Sequence, residues 1–208
     1  MAGDSRGSCS HAMGFWKSPR GEPSTEHKSS QLPDSRLLNA FGAVLTNRER
    51  ETTDFETHLS HIIGNNTAFK YPGARNDKLY RPDYLHGESS DCTNCEVTGL
   101  VARQPRAHEQ LIFHQSTILS GNQLIKDGRV RDRLSRAHHN ARCIEMEAAG
   151  VIDDTRCLVI RGIADYSDGH KDWFWQNYAA ATAAAFAKEL LCTLAPVVVQ
   201  GLPPAKKG

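Results

Sequence analysis

Two acidic residues late in the sequence, Glu147 and Asp165, have side chains that could act together in one reaction. Glu147 lies in the segment 145–150, and Asp165 comes directly after the apolar stretch 157–164, which is typical of a parallel strand covered on both faces. An Asp beside a departing base can protonate it as a general acid. A Glu that accepts hydrogen bonds from ribose hydroxyls places negative charge near a sugar that becomes cationic in the transition state. This pair therefore suits cleavage of a bond between a base and a sugar.

A third feature is the turn Ser120-Gly121, which follows the predicted strand 111–119. In open α/β sheets, ligands bind at the carboxyl ends of the strands, so this turn and the two carboxylates are expected at one edge. Each acidic residue also has an ordinary structural interpretation, because acids favour first helical turns and Asp forms turns. The order and spacing of all three features favour the chemical interpretation.

The remaining pattern supplies elements that could position these residues. Apolar spacing predicts alternating helices and strands and hence an α/β architecture. The expected helices are 36–51, a short one near 58–63 within the loop-rich segment 56–106, 123–138, 148–152 and 173–194; the expected strands are 111–119 and 157–164, with a short, mixed segment at 143–146.

Composition divides the chain into three regions. Residues 1–31 are rich in Ser and Gly and are expected to be a disordered leader. Residues 32–195 are expected to form one domain with an inserted loop at 86–110, and residues 196–208 a flexible tail.

The charge pattern argues against nucleic-acid and membrane partners. The formal net charge of the 208 residues is +1, which gives no general attraction to polyanions. The basic stretch 126–142 is interpreted as a solvated helix face, because no nucleic-acid-binding motif accompanies it. No apolar run is long enough to span a bilayer, and the N-terminus lacks a secretory pattern. Two of the six cysteines lie in apolar, strand-like or helical stretches, where a reduced buried thiol is the ordinary interpretation. A reducing, cytoplasmic location is therefore expected.

Cys92 and Cys95 have the spacing of half a zinc site, with His86 and His108 as candidates for the remaining ligands. A pair of free loop thiols is the alternative, and the sequence leaves both open.

The segments around these features resemble the nucleoside phosphorylase superfamily, the purine/uridine phosphorylase-like domains. The resemblance rests on MEAAG (146–150), ADYSD (164–168), LSGNQLIKDGRVRDRLS (119–135) and DCTNC (91–95). It covers about 32–195 and is similar to the C-terminal portion of a fungal branch often fused to ankyrin or NTPase modules. It implies a partial phosphorylase-type twisted mixed sheet flanked by helices, with the N-terminal strands missing. The implied activity is cleavage of a purine nucleoside's N-glycosidic bond by phosphate or water.

The resemblance also implies roles for individual residues. Glu147 would bind the ribose 2′- and 3′-hydroxyls, Met146 would pack against the sugar, and Glu145 would support that contact. Asp165 would face the purine nitrogen that is protonated as the base leaves. Arg161 would lie on the catalytic strand.

The connection after the predicted strand 111–119 would pass along the base. The residues expected there are Ser120, Gly121, Leu124 and Ile125. Leu124 stands where some relatives of this family place an aromatic ring that stacks on the base.

The expected partner is a nucleoside, with no metal or organic cofactor and with inorganic phosphate as a co-substrate. Members of this family commonly assemble as homo-oligomers, which is a further expectation. No Gly-rich phosphate turn is recognisable before Leu32, so a truncated and impaired enzyme is expected. The alternatives are a non-catalytic nucleoside-binding or sensing module and an inactive fragment.

Overall fold

The computed structural model describes residues 11–14, 33–87, 91–103, 111–152, 156–171 and 173–194. The elements follow in the order β1 (His11–Gly14), α1 (Ser35–Glu49), α2 (Phe55–Asn65), β2 (Phe113–Gln115), β3 (Ile118–Ser120), α3 (Gly128–Ala137), β4 (Cys143–Glu145), α4 (Ala149–Ile152), β5 (Val159–Arg161) and α5 (Gln176–Thr193). This mixture of helices and short strands confirms the expected α/β class.

The strands form two small sheets. One has the order β2-β1-β5, in which β1 runs parallel to β2 and antiparallel to β5. The other pairs β3 with β4 in parallel. The prediction of β5 as a parallel strand covered on both faces was therefore wrong, since within the described residues β5 pairs antiparallel with β1 and its residues are half-buried. An apolar run indicates that a strand is buried, but it does not determine whether the neighbouring strand is parallel or antiparallel.

Helix α5 is the centre of the apolar core. Its inner face buries Phe186 and Leu190, and α1 and α2 pack on that face through Phe41 and Phe55. The rings of Phe41 and Phe186 have centroids 6.3 Å apart. Burying such rings is the main favourable contribution to folding, so α5 anchors both the helices and the sheet beside it.

Gly162 lets the sheet approach α5 closely. A Cβ atom at this position would stand 2.0 Å from the carbonyl oxygen of Ala179 in α5. Only a residue without a side chain fits here, and the close approach sets where the segment after β5 leaves the sheet.

The structure corrects two predicted elements. The single strand expected at 111–119 is divided into β2 and β3, which belong to different sheets. The helix expected at 123–138 begins only at Gly128, because the Asp127 carboxylate caps it by accepting a hydrogen bond from Arg129 N at 2.7 Å. Residues 123–127 therefore belong to the connection that follows β3. The helices expected at 36–51 and 58–63 correspond to α1 and α2.

The expected disorder of the leader does not hold at His11–Gly14. These residues form β1, the middle strand of the three-stranded sheet. The Ser/Gly-rich composition around them concealed this, because four residues are too short for a recognisable period. The rest of 1–31, the tail from residue 195, and His108 lie outside the described residues.

Over the described residues, the helices are too short or too polar to cross a lipid bilayer.

Candidate active site

The parallel pairing of β3 with β4 places Ser120 directly beside Glu145. Gly121 N donates to the carbonyl oxygen of Glu145 at 3.1 Å, which extends the ladder past the ends of both strands. Ser120 Oγ accepts a hydrogen bond from Ala149 N at 2.9 Å. Because parallel strands end at the same edge, the SGN turn and the MEAAG segment meet at one rim, as expected from the sequence.

Glu145 organises the turn that carries the next acid. It is only 4% exposed, and its Oε2 accepts hydrogen bonds from Glu147 N and Ala148 N, each at 2.9 Å. These backbone groups precede α4, where unpaired N–H groups need acceptors. Glu145 thus fixes the backbone at Glu147, while its support of a sugar contact stays a prediction.

Glu147 points outward from that turn and pairs with Arg161 of β5. Arg161 Nη1 donates to Glu147 Oε2 at 2.8 Å, and Met146 N donates to the same oxygen at 3.2 Å. The Met146 hydrogen bond, followed by the Arg161 charge, lowers the pKa of Glu147 below its usual value. The Glu147 side chain is 69% exposed, and Met146 beside it is also exposed. A charged, accessible carboxylate of this kind can accept hydrogen bonds from hydroxyl groups.

The thiol of Cys143, in β4, is affected by charges both at this rim and at Asp165. Burial raises the pKa of Cys143 to about 12, and the nearby charges of Glu145 and Asp165 act in the same direction. Arg161 opposes them. Cys143 was not expected at the site, since a cysteine in a short strand looks like ordinary core. Arg161, Glu145 and Asp165 are thus the charged groups that act on the half-buried Cys143.

Asp165 lies in the segment after β5, and each of its carboxylate oxygens contacts another group of the protein. Its Oδ1 accepts from Ser167 N at 2.8 Å, and its Oδ2 lies 3.3 Å from Lys171 Nζ. The first contact is a local turn that holds the side chain in place. The second stabilises a charged carboxylate.

Asp165 also lines a cleft that the sequence did not predict. The other lining residues are Asn76, Asp77, Lys78, Tyr80, Cys92, Ala164, Tyr166, His170 and Trp175. Glu147 is not among them. Asp165 therefore lines the cleft, whereas Glu147 lies on the outer rim, and the expected meeting of both carboxylates at one edge stays a prediction.

The floor of the cleft is a polar network around Tyr166. Its hydroxyl donates to Asp77 Oδ1 and accepts from Arg103 Nη1 at 2.9 Å. Arg103 Nη2 also donates to the Asp77 carbonyl oxygen at 2.7 Å. Burial raises the pKa of Tyr166 well above its usual value, and Asp77 adds to this. Asp77 and Arg103 come from the long segment predicted as loop, where no periodicity marks individual residues.

One wall of the cleft is aromatic. Trp175 donates through Nε1 to the Asn76 carbonyl oxygen at 2.9 Å. His170 stacks on Tyr80 with ring centroids 4.0 Å apart. Burial lowers the pKa of His170, which favours the neutral ring. Flat apolar surfaces beside a polar floor are typical of pockets for ring-shaped ligands.

The other residues expected along the base occupy the β3–α3 connection. Leu124 is 53% exposed and Ile125 is half-buried. Neither belongs to the residues that line the cleft. Their contact with a base therefore stays a prediction.

Cys92, Cys95 and His86 also lie together, at the far side of the cleft. Their ligand atoms are all within 4.8 Å of one another, so the alternative of a metal site left open by the sequence has a geometric basis.

The class defined by fold and site is an α/β protein with acidic and basic side chains at a sheet rim, next to a partly aromatic cleft.

No protein-family model matches the chain. It is 40% identical over 172 residues to a nucleotide-binding leucine-rich repeat (NLR)-like protein of Hyaloscypha variabilis, a match that covers 79% of this chain and 16% of that protein. It is 35% identical over 86 residues to the ATP nucleosidase Cap17 of Escherichia coli, over 39% of this chain and 17% of that protein. The chain thus aligns with about a sixth of the length of these relatives.

Proposed function

We propose that this chain cleaves the N-glycosidic bond of a purine nucleoside or nucleotide, as a nucleosidase or phosphorylase. The observation that carries the proposal is the pairing of β3 with β4, which brings Ser120, Glu145 and Glu147 together at one rim. At this rim Glu147 also contacts Arg161 of β5. Cap17, to which part of the chain is similar, is named an ATP nucleosidase, which supports this class of reaction.

In the proposed mechanism the sugar lies over the outer rim. Ribose hydroxyls donate to the exposed oxygens of Glu147, with Met146 against the ring. Arg161 keeps the carboxylate charged and oriented, and the negative charge stabilises the oxocarbenium-like sugar as the bond to the base breaks. Glu145 holds the turn and does not touch the substrate.

The base then lies towards the cleft. Asp165, in its protonated form, faces a purine nitrogen, transfers its proton to that nitrogen as the bond to the base breaks, and becomes the carboxylate that pairs with Lys171. Trp175 and the Tyr80–His170 stack form the wall beside it. The nucleophile is water or inorganic phosphate, and no metal or organic cofactor takes part in the proposed reaction.

The assay measures free base by chromatography. Adenosine, guanosine, inosine, uridine and ATP are incubated with the chain, each with and without phosphate. Release of a purine base supports the proposal, and dependence on phosphate separates a phosphorylase from a nucleosidase. No base from any of these substrates in either condition would refute it.

Variants locate the reaction. Asp165→Asn is expected to reduce kcat by roughly 10² to 10⁴, the usual contribution of a general acid. Glu147→Gln is expected to raise KM as well as lower kcat, because it weakens the hydrogen bonds to the ribose hydroxyls. Asp83→Asn and Glu56→Gln, which alter exposed acids outside the site, are the matched controls and should retain full activity.

A non-catalytic nucleoside-binding module is the second candidate. The contact with Lys171 favours it, because a charged Asp165 accepts a hydrogen bond from a base more readily than it gives a proton. Calorimetric binding of a purine nucleoside without release of base, abolished by Glu147→Ala, would support this candidate over the first.

A further inference from the structure

The segment between α2 and β2 contains three metal-ligand side chains in one place. The sulfur atoms of Cys92 and Cys95 and a ring nitrogen of His86 all lie within 4.8 Å of one another. A tetrahedral zinc ion holds thiolate sulfur at about 2.3 Å and imidazole nitrogen at about 2.0–2.1 Å, so ligands on one ion stand less than about 4 Å apart. Small side-chain rotations bring these three atoms to that spacing.

The backbone already has the form that paired thiol ligands need. Cys95 N donates to the Cys92 carbonyl oxygen at 3.2 Å, which closes a tight turn across the C-x-x-C sequence. Asp91 Oδ1 steadies this turn by accepting from Thr93 N at 2.9 Å. The turn directs both sulfurs to the same side, which two unrelated loop cysteines would have no reason to do.

Both ring nitrogens of His86 lie beside backbone carbonyl oxygens. Its Nδ1 lies 2.8 Å from the Gly87 carbonyl oxygen, and its Nε2 lies 3.1 Å from that of Asp91. A neutral imidazole has one N–H, so it can donate to only one of these oxygens. The second nitrogen of the neutral ring then keeps a lone pair, which is the electron pair that a metal ion would bind.

Outer groups support the cluster from the cleft side. Tyr80, which is 2% exposed, lines the cleft together with Cys92. The Tyr80 backbone forms a β-bridge with Leu100, so the segment is tied to the cleft at two points. Residues that support the ligands from outside are a regular feature of metal sites.

We propose that His86, Cys92 and Cys95 bind one zinc ion, which fixes the C-x-x-C turn to the wall of the cleft. Each thiol gives its proton to solvent as its sulfur–zinc bond forms, and water or a further donor completes the tetrahedron. Since Cys92 also lines the cleft that contains Asp165, the ion would hold that wall in place. The site does not rest on the proposed function, because metal binding is measured without any substrate.

Metal content and cobalt spectroscopy test this site. The chain, purified under reducing conditions without chelator and supplied with zinc, is expected to retain about one ion per chain after desalting. Replacement by Co²⁺ should give the visible bands of a tetrahedral ion and near-ultraviolet thiolate charge-transfer bands. Cys92→Ser and Cys95→Ser should each remove part of the charge-transfer intensity.

Matched controls exist for both ligand types. Cys192→Ser and His61→Ala alter exposed residues outside the cluster and should leave zinc content and the cobalt spectrum unchanged.

Three results would overturn the site. They are a cobalt spectrum of the unaltered chain without thiolate bands, a disulfide between Cys92 and Cys95 in the chain purified under reducing conditions, and unchanged zinc content in folded Cys92→Ser. If the serine variants do not fold, the spectrum of the unaltered chain decides by itself.

Discussion

At the scale of single residues, the two neighbouring glutamates of the candidate site have different roles. Glu145 is buried and bonds to backbone N–H groups, whereas Glu147 is exposed and bonds to Arg161. The same chemical group is structural in one place and available to a ligand in the other. Exposure and partners, rather than residue type, determine which of the two acids is open to a ligand.

The buried thiol among these charges provides a test at the same scale. Because the pKa of Cys143 is raised to about 12, its neutral form dominates at every pH below that value. At pH 8 the thiolate is a fraction on the order of 10⁻⁴, so alkylation is expected to be very slow and to accelerate about tenfold per pH unit.

Alkylation by iodoacetamide, followed by peptide mass spectrometry, measures this. The exposed Cys192 is the internal control and should react within minutes under conditions that leave Cys143 intact. Equal rates for the two thiols at pH 8 would contradict the buried, charge-surrounded position described for Cys143.

At the scale of elements, the position of β5 depends on the close contact between Gly162 and α5. A methyl group at Gly162 would stand 2.0 Å from the Ala179 carbonyl oxygen, and the strand would have to move away from the helix. We expect Gly162→Ala to lower the free energy of unfolding by about 1–3 kcal/mol and to displace Arg161 from Glu147.

Urea unfolding followed by circular dichroism measures the first effect. Gly42→Ala is the control, because a Cβ atom there meets nothing within 4 Å and Ala favours a helix. That variant should be as stable as the original chain or slightly more stable. If both variants behave alike, the close approach does not limit packing.

The elements differ in how well the sequence revealed them. Helix α1 and the position of α5 follow from long apolar periods, which come from one buried face. The sequence did not reveal β1 or the separation of β2 from β3, because strands of three or four residues are too short to show a clear alternation of apolar and polar residues. The rim around Glu147 was predicted from local motifs. The cleft around Tyr166 was not, because Asp77 and Arg103 reach it from a segment without periodicity.

At the scale of the whole molecule, a layer of helices packs beside the three-stranded sheet. Within this layer Glu189 of α5 is buried and joins the start of α2 to α5. Its Oε1 accepts from Thr53 Oγ1 at 3.1 Å and from Asp54 N at 3.3 Å, and its Oε2 lies 3.3 Å from His58 Nε2. A buried carboxylate with these partners fixes one arrangement of the two helices.

We expect Glu189→Ala to destabilise the molecule by about 1–3 kcal/mol, because it leaves part-buried donors without an acceptor and removes packing in the core. Thermal unfolding by calorimetry measures the loss. Glu56→Ala, which removes an exposed glutamate paired with Arg48, should cost at most about 1 kcal/mol. A larger loss for Glu56→Ala than for Glu189→Ala would contradict this account of the helical layer.

The central claim is that the rim carrying Glu147 and the cleft carrying Asp165 act on one nucleoside, on its sugar and its base. Proton NMR of a purine nucleoside mixed with the chain tests this directly, because the anomeric proton of the ribose changes when the bond to the base breaks. We predict that the nucleoside signal is replaced by that of free ribose or, with phosphate, of ribose 1-phosphate, and that Glu147→Gln and Asp165→Asn each suppress the change. An anomeric signal that stays constant with the unaltered chain, or one that both variants convert at the original rate, would contradict the claim.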